Sequence, residues 1–463
     1  MNYYFSASSV VLLSIFLYIG YKSSKSVNAS DSYFLAGRSL GILSVSTSLL
    51  ASQLGAGVIL GTADFSYKYG IRGIFYALGL SLGLVIISIY GAKHLRDKNI
   101  STIAELFEKE YKSNFLRKLA SLISVVSLYG ILISLIVGTK KILLSFGIYN
   151  EYILYGFWST LITYTILGGL KGVVYTHIIQ VLFIFCTFTL ILTYYIVFKF
   201  QYIQFAFDNL LTCKVTSNTS LIPYLIVPCL YISIEQDVAQ RLFAAKNSKI
   251  AYISAFIAGI LLLIFSCIPL IFGIAARSMT NIPTGVSEIV YFFIHTSNSF
   301  ISSYAALAIL CAIISTGDSL LCAITANLIL DFKQKTVSTN LFQIRTITLI
   351  LGFTGILIAS YLDQIIELML LSYQVMICTL FFPITITYLN FKKTTSFAYT
   401  SIILGLIAFI VYPKINSYVS YFKVSKELFS ISMSLLSFPI SYLSNKIASI
   451  YYIDKNLIRD SSE

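Results

Sequence analysis

The chain has 463 residues, of which 57% are hydrophobic and only 11% are charged. A soluble protein of this length needs many more charged side chains to cover its surface. The composition therefore excludes a soluble globular protein and indicates a membrane protein. The net charge of +13 does not indicate nucleic-acid binding, because the Lys and Arg residues stand singly between apolar runs and form no cluster.

Long apolar runs recur along the whole chain. A helix needs about 20 apolar residues to cross the bilayer core, and the runs predict an all-α polytopic membrane protein with about 13 transmembrane helices. The first run lacks a preceding basic segment and a small-residue cleavage site, so we expect a retained helix. The predicted spans are 3–21, 40–63, 70–92, 118–139, 150–168, 175–198, 220–240, 251–276, 302–330, 343–361, 364–389, 396–412 and 428–448.

The Lys and Arg residues between the spans predict the orientation. If the N-terminus lies outside, most of the 32 Lys and Arg fall on inside connections. Cytoplasmic loops carry an excess of these residues, so we expect the N-terminus outside and the C-terminus in the cytoplasm. Abundant Ile, Tyr, Phe, Lys and Asn suggest an AT-rich bacterial genome, and hence a multi-pass protein of the inner cell membrane.

Two of the predicted spans contain helix-breaking residues. The second carries Gly55 and Gly57, and the seventh carries Pro223 and Pro228 before Glu235. Gly costs about 1 kcal/mol relative to Ala inside a helix. Broken helices at matching places in two halves are typical of inverted-repeat transporters, where unwound backbone offers carbonyls to a cation. Alternatively, Gly55 and Gly57 only allow close helix packing.

The ninth span holds a polar segment, residues 315–319, near its middle. Ser315 and Thr316 are adjacent hydroxyls, and a hard cation prefers oxygen ligands. Alternatively, each hydroxyl bonds back to its own helical turn. Asp318 argues for a functional site, because an acid in a membrane helix costs about 2.5–3.5 kcal/mol on insertion scales.

Four blocks in chain order resemble the sodium:solute symporter family, in particular bacterial sodium/proline and sodium/pantothenate-type members. The resemblance covers roughly residues 30–390. The blocks are 33–70, the residues 168–170 with Thr176 and Gln180, the residues 236–241 with 244–246, and 315–319.

The resemblance implies a LeuT-like fold, an inverted five-helix repeat with broken second and seventh helices. The whole chain would form one transmembrane domain. Residues 40–198 would be the first repeat and 220–389 the second. The first helix and its loop, 1–39, and the last two helices with a short cytoplasmic tail, 396–463, would be peripheral.

The resemblance also implies the sites. Sodium, the expected cofactor, would bind backbone carbonyls and hydroxyls between the second and ninth spans, namely those of Ala51, Leu54, Ala312, Ser315 and Thr316. A solute would bind beside it, near Gln53, Gly55, Val58 and Glu235. The candidates for coupling or gating are His177, Asp318 and Ser319.

His177 departs from the family pattern, because members usually have an acid after the Thr at position 176. That acid is linked with a second sodium, so its absence favours one sodium per solute. His177 is either a titratable gate or, the interpretation we favour, an interfacial residue. Gly57 and Val58 argue against a sugar as the solute. Glu235 could pair with a solute amine or with Arg241, and Asp237 is expected to be solvated.

The sequence therefore predicts a sodium-coupled symporter that imports a small organic solute by alternating access. The solute would be an amino acid such as proline, or an organic acid such as pantothenate or a monocarboxylate. The alternatives are a proton-coupled symporter and a transporter-like sensor without net transport. Catalysis is not expected, because the three His lie on different connections without a nucleophile or metal set. The expected partners are the solute and the bilayer, not nucleic acid, and a monomer is sufficient.

Overall fold

Helices make up nearly all of the described part of the chain. The computed structural model describes residues 2–148, 151–213, 221–279, 282–283, 286–332, 340–362, 366–388, 394–418 and 426–440. The helices are α1 (Asn2–Ser24), α2 (Ser30–Leu35), α3 (Ile42–Gln53), α4 (Thr62–Tyr69), α5 (Phe75–Ile87), α6 (Lys93–Asp97), α7 (Glu105–Tyr111), α8 (Asn114–Ser145), α9 (Glu151–Phe198), α10 (Phe200–Asp208), α11 (Pro223–Ile232), α12 (Gln236–Ala244), α13 (Ser248–Ala275), α14 (Glu288–Thr296), α15 (Ser299–Phe332), α16 (Leu341–Ser360), α17 (Ile366–Tyr388), α18 (Thr395–Tyr418) and α19 (Lys426–Leu435).

The prediction of a polytopic all-α membrane protein is confirmed, but the count of 13 spans is not. Among the described residues, nine helical segments are long and apolar enough to cross a membrane. The long helix α9 contains both the fifth and the sixth predicted spans, which bend apart at Gly169. The thirteenth prediction, 428–448, lies partly outside the described residues.

The second and seventh spans are both interrupted in their middles. The second consists of α3 and α4, which are separated by the non-helical Leu54 and Gly55 and by a turn of π-helix, Gly57–Gly61. The seventh consists of α11 and α12, and between them Glu235 adopts an extended backbone with φ −74° and ψ 126°. The first break falls at Gly55, where Gly weakens the helix. The second falls after Pro228, which lies inside α11, at the polar residues Ser233 and Glu235.

The two halves of the bundle exchange contacts in a reciprocal way. The broken pair α3 and α4 packs against α13, whereas α11 packs against α5. Each broken helix thus lies on the helix that follows the break in the other half, as two related repeats would. The breaks also meet directly, since Gln53 Nε2 donates to Glu235 Oε2 at 3.1 Å. The helix α15 packs between them and against α8 and α9.

Gly169 lets the chain bend between the two halves of α9. Its φ of +53° and ψ of −155° lie in a region that a residue with a side chain rarely adopts. A Cβ there would lie 2.6 Å from the carbonyl oxygen of Tyr33. The Tyr33 hydroxyl, in turn, donates to the carbonyl of Thr165 at 3.1 Å, so this bend fixes the segment that leads into α3.

We expect Gly169→Ala to lower the melting temperature of the purified protein in detergent. The positive φ alone costs a side chain about 1–2 kcal/mol, and the contact with Tyr33 adds to this. Gly156→Ala is the matched control, because a Cβ there meets no atom within 4 Å. Equal melting temperatures for the two variants would contradict the role assigned to Gly169.

Candidate functional site

The middle of α15 packs against the broken end of α3 through two hydroxyls. Ser315 Oγ lies 2.9 Å from the carbonyl oxygens of both Ala51 and Ala312. Thr316 Oγ1 lies 2.9 Å from the carbonyl oxygen of Ser52 and 3.3 Å from that of Ala312. Each hydroxyl therefore bonds to its own turn, as one interpretation expected, but each also reaches the other helix.

The sequence of α3 creates this contact. The helix ends at Gln53, so the carbonyls of its last turn have no partner within the helix. Gly55 then allows α15 to approach, since a Cβ there would lie 2.5 Å from Thr316 Oγ1. The two interpretations of Gly55, unwinding and close packing, are thus both correct.

These oxygens suit a small hard cation. They are carbonyls and hydroxyls without formal charge, at the negative end of the α3 dipole. The structure brings together Ala51, Ala312, Ser315 and Thr316 from the predicted ligand set. Leu54, the fifth, is fully buried at the break itself. The carbonyl of Ser52, which the sequence analysis did not single out, belongs to the same cluster.

A cavity adjoins this cluster and shares residues with it. The empty space between its walls is about 360 Å³, its opening included. All four residues predicted to bind the solute line it, together with residues that no sequence pattern indicated. Its lining is Ser52, Gln53, Gly55, Ala56, Gly57, Val58, Tyr76, Leu80, Ile131, Leu135, Glu235, Thr316, Leu320, Met369 and Tyr373.

Glu235 is buried at the wall of this cavity, with 5% of its surface exposed. Its carboxylate accepts a hydrogen bond from the Gln53 side chain. No ion pair among the described residues includes Glu235. The interpretation that it pairs with Arg241 is wrong, because Arg241 bonds to Asp237 instead.

A fully buried polar network lies next to the cation oxygens, centred on Asp318. His177 Nε2 lies 2.9 Å from one carboxylate oxygen of Asp318, and the Tyr164 hydroxyl donates to the other at 2.6 Å. The other ring nitrogen of His177 lies 2.9 Å from Ser48 Oγ. Arg241 Nε donates to the same Ser48 oxygen at 2.8 Å. Ser48 therefore has its own proton to donate to His177, which leaves the Nε2 proton for Asp318.

Arg241 completes the network. Its Nη1 donates to the backbone oxygen of Asp237 at 2.5 Å and lies 3.4 Å from a carboxylate oxygen, and its Nη2 donates to Ser319. We call this set the Asp318 network; it joins α3, α9, α12 and α15. Its members are Ser48, Tyr164, His177, Asp237, Arg241, Asp318 and Ser319.

Two expectations about these residues are wrong. His177 is not interfacial, since none of its surface is exposed and it bonds to Asp318. Asp237 is not solvated, since it is also fully buried. The three candidates His177, Asp318 and Ser319 do lie together. The sequence missed Ser48 and Tyr164 as members, because residues from separate helices share no spacing along the chain. It also missed Arg241, although Arg241 stands four residues after Asp237 on α12.

The fold and site together define a class, the membrane-embedded secondary transporters with two broken helices around a central cavity. The model of the sodium:solute symporter family matches residues 33–405. The chain belongs to the sodium:solute symporter family and is a multi-pass membrane protein. Sodium as the expected ion agrees with this family.

Curated relatives align over part of the chain. The sodium/glucose cotransporter of Vibrio parahaemolyticus is 28% identical over 39% of this chain and 33% of its own length. The human high affinity choline transporter 1 is 28% identical over 34% of this chain and 27% of its own. The sodium/proline symporter of Escherichia coli is 28% identical over 35% and 34%. The matched segments thus span about a third of each relative.

Two solved transporter structures superpose on nearly the whole chain. A Na⁺-coupled sialic acid symporter in its substrate-bound outward-open state superposes with a TM-score of 0.73 at 18% identity, covering 94% of this chain and 96% of that one. A nucleobase-cation-symport-1 family transporter in a closed conformation gives 0.61 at 12% identity, covering 91% and 96%. The expectation of a LeuT-like fold is confirmed.

We expect Arg241→Met to destabilise the protein strongly, by about 3–5 kcal/mol, because it leaves Asp237 buried without its positive partner. Thermal unfolding of the purified protein measures the effect. Arg72→Met, at an exposed position, is the control and should change little. A double variant with Asp237→Asn should recover part of the loss, and an unchanged melting temperature in Arg241→Met would contradict the assignment.

Proposed function

We propose that the protein is a sodium-coupled symporter that imports a small organic solute by alternating access, with one sodium ion per solute. The observation that carries this proposal is that the candidate cation oxygens and the cavity share walls. Ser52 and Thr316 belong to both. An ion held there fixes the end of α3 against α15, and in doing so completes one side of the cavity.

The Asp318 network supplies the other half of the mechanism. In the predicted orientation it lies on the cytoplasmic side of the cation oxygens, where it holds α3, α12 and α15 together and so closes the path inward. Inward opening then requires the bonds of Arg241 to Ser48 and Ser319 to separate. Sodium, by binding between α3 and α15, favours the outward-open state until the solute fills the cavity.

The energy of one ion is sufficient for accumulation. One charge moving down 100 mV provides about 2.3 kcal/mol, and a tenfold sodium gradient adds about 1.4 kcal/mol. Together they concentrate a neutral solute roughly several-hundred-fold. A single ion is favoured because His177, not an acid, follows Thr176.

The relatives do not select the solute, since their names include glucose, proline and choline. Gly57 and Val58 offer the cavity no polar side chain for sugar hydroxyls. The remaining candidates are amino acids such as proline, pantothenate and monocarboxylates. We place the protein in a bacterial inner membrane with its N-terminus outside.

Proton coupling is the second candidate, favoured by the buried contact between His177 and Asp318. It predicts uptake driven by a pH step without sodium. A sensor without net transport would bind solute but give no flux.

Uptake by proteoliposomes tests the main proposal. We expect accumulation of a solute when external sodium exceeds internal sodium, with a further increase when the lumen is made negative. Replacement of sodium by potassium should abolish it. Uptake that persists in potassium at constant pH would disprove sodium coupling, and a dependence on the pH step alone would favour the proton carrier.

The ion site is tested by Ser315→Ala and Thr316→Ala. Loss of a ligand to a charged group costs about 1.5–3 kcal/mol, so the sodium concentration for half-maximal stabilisation of the purified protein should rise roughly 10- to 150-fold. Ser303→Ala, whose hydroxyl bonds one turn back at the outer part of the same helix, is the control. Unchanged sodium titrations in both variants would refute the assigned site.

A further inference from the structure

We propose that the solute is a small organic cation, an alkylated ammonium ion, which binds between the carboxylate of Glu235 and the tyrosine rings of the cavity. This inference rests on the proposed function, because it assigns the substrate class of the same cavity. It limits the candidate solutes to cations.

The charges of the cavity carry the first step. No Lys, Arg or His is among the described lining residues, and Glu235 is the one ionisable acid there. Its carboxyl group bonds to the neutral Gln53 and lies close to the side chains of Tyr231 and Asp237, and it forms no ion pair among the described residues. A buried carboxylate is stabilised most by a positive partner. An anionic solute would instead bring a second negative charge beside it, at a distance where repulsion is strong.

The position of Glu235 keeps its carboxylate available. The residue immediately precedes α12, so it lies at the positive end of that helix dipole. The neutral amide of Gln53 holds the group in place, without a competing cation. The guanidinium of Arg241 bonds instead to Asp237, Ser48 and Ser319.

Aromatic rings carry the second step. Tyr76 and Tyr373 both line the cavity, with their hydroxyl oxygens 3.2 Å apart. The ring of Tyr231 packs behind Tyr373 at 4.3 Å between centroids. Gly57 allows this arrangement, because a Cβ there would lie 2.7 Å from the Tyr76 hydroxyl. Rings of this kind attract ammonium ions, and quaternary ammonium ligands in particular.

The remaining walls suit alkyl substituents. Val58, Leu80, Ile131, Leu135 and Met369 give the cavity an apolar surface opposite one carboxylate and two phenols. A neutral solute would leave Glu235 with Gln53 but without a positive partner. A bare ammonium ion would leave the apolar walls without contact. An ammonium ion that carries methyl or short alkyl groups would pair with Glu235 and also contact the apolar walls.

The experiment is a binding titration on the purified full chain, read as the shift in melting temperature in 100 mM sodium chloride, roughly the ionic strength at which surface charges are screened. The probes are tetramethylammonium, choline and propylammonium. Their controls are 3,3-dimethylbutan-1-ol, the uncharged isostere of choline, and propionate. We expect at least one of the cations to stabilise the protein. The isostere and propionate should bind at least tenfold more weakly than that cation.

Variants test whether the cation binds at Glu235 and Tyr373. Glu235→Gln should weaken binding of the cation tenfold or more, whereas Glu151→Gln, at an exposed position, should not change it. Tyr373→Leu should weaken it as well, while Tyr373→Phe, which keeps the ring, should retain most of it. Sodium alone should still stabilise Glu235→Gln, which shows that the variant is folded.

The outcomes separate this inference from the proposed function. Stabilisation by sodium but by none of the three cations, or equal binding of the isostere or propionate, overturns the cation class and leaves sodium coupling standing. If the organic cation binds equally well in potassium and in sodium, the result supports a cationic solute but counts against sodium coupling. Preferential binding of zwitterionic proline over all three cations also overturns it.

Discussion

Backbone carbonyls inside a bilayer need partners, and this constraint shapes the site. Water is absent there, so an interrupted helix survives only where protein or a cavity satisfies the freed groups. The chain interrupts two helices and places the breaks against each other, with Gln53 and Glu235 in contact. The hydroxyls of Ser315 and Thr316 satisfy the carbonyls at the end of α3. In the proposed sodium site the ion would bind these same carbonyl and hydroxyl oxygens, whereas a continuous helix would offer it no free carbonyl.

The same constraint applies to the charges of the core. Asp318 and Asp237 are fully buried. Asp318 is stabilised by His177 and Tyr164 from α9, whereas Asp237 is stabilised by Arg241 one turn away on α12. Breaking a buried pair is far more costly than separating an exposed one. The network therefore holds four helices in one arrangement until several bonds separate together. Such a cooperative arrangement is compatible with the two-state gate that we propose.

The sequence predicted the features that reside in single segments. Two helix breaks were expected, one from Gly55 with Gly57 and one from the prolines before Glu235, and both spans are interrupted. The hydroxyls of Ser315 and Thr316 were expected to form an oxygen cluster with α3, and they contact the end of α3. The sequence could not predict the partners of His177, because Ser48 and Asp318 lie on other helices. Asp237 and Arg241 stand four residues apart on α12, a spacing at which helical side chains can pair, but the burial of that pair depends on Ser48 and Ser319 from other helices. The sequence could not predict Tyr76 or Tyr373 either, since an aromatic residue in an apolar run has the same pattern whether it faces lipid or a cavity.

The balance of charge connects the two proposed ligands. Three carboxylates, those of Glu235, Asp237 and Asp318, lie buried around the site, against one guanidinium, that of Arg241. The acids thus outnumber this permanent cation by two. The sodium ion and the organic cation that we propose would bring two positive charges into the same region. In the proposed cycle two charges would cross the membrane, so 100 mV would contribute about 4.6 kcal/mol, twice the value for a single charge. The cationic solute itself would gain from the potential, and one sodium ion would then be sufficient.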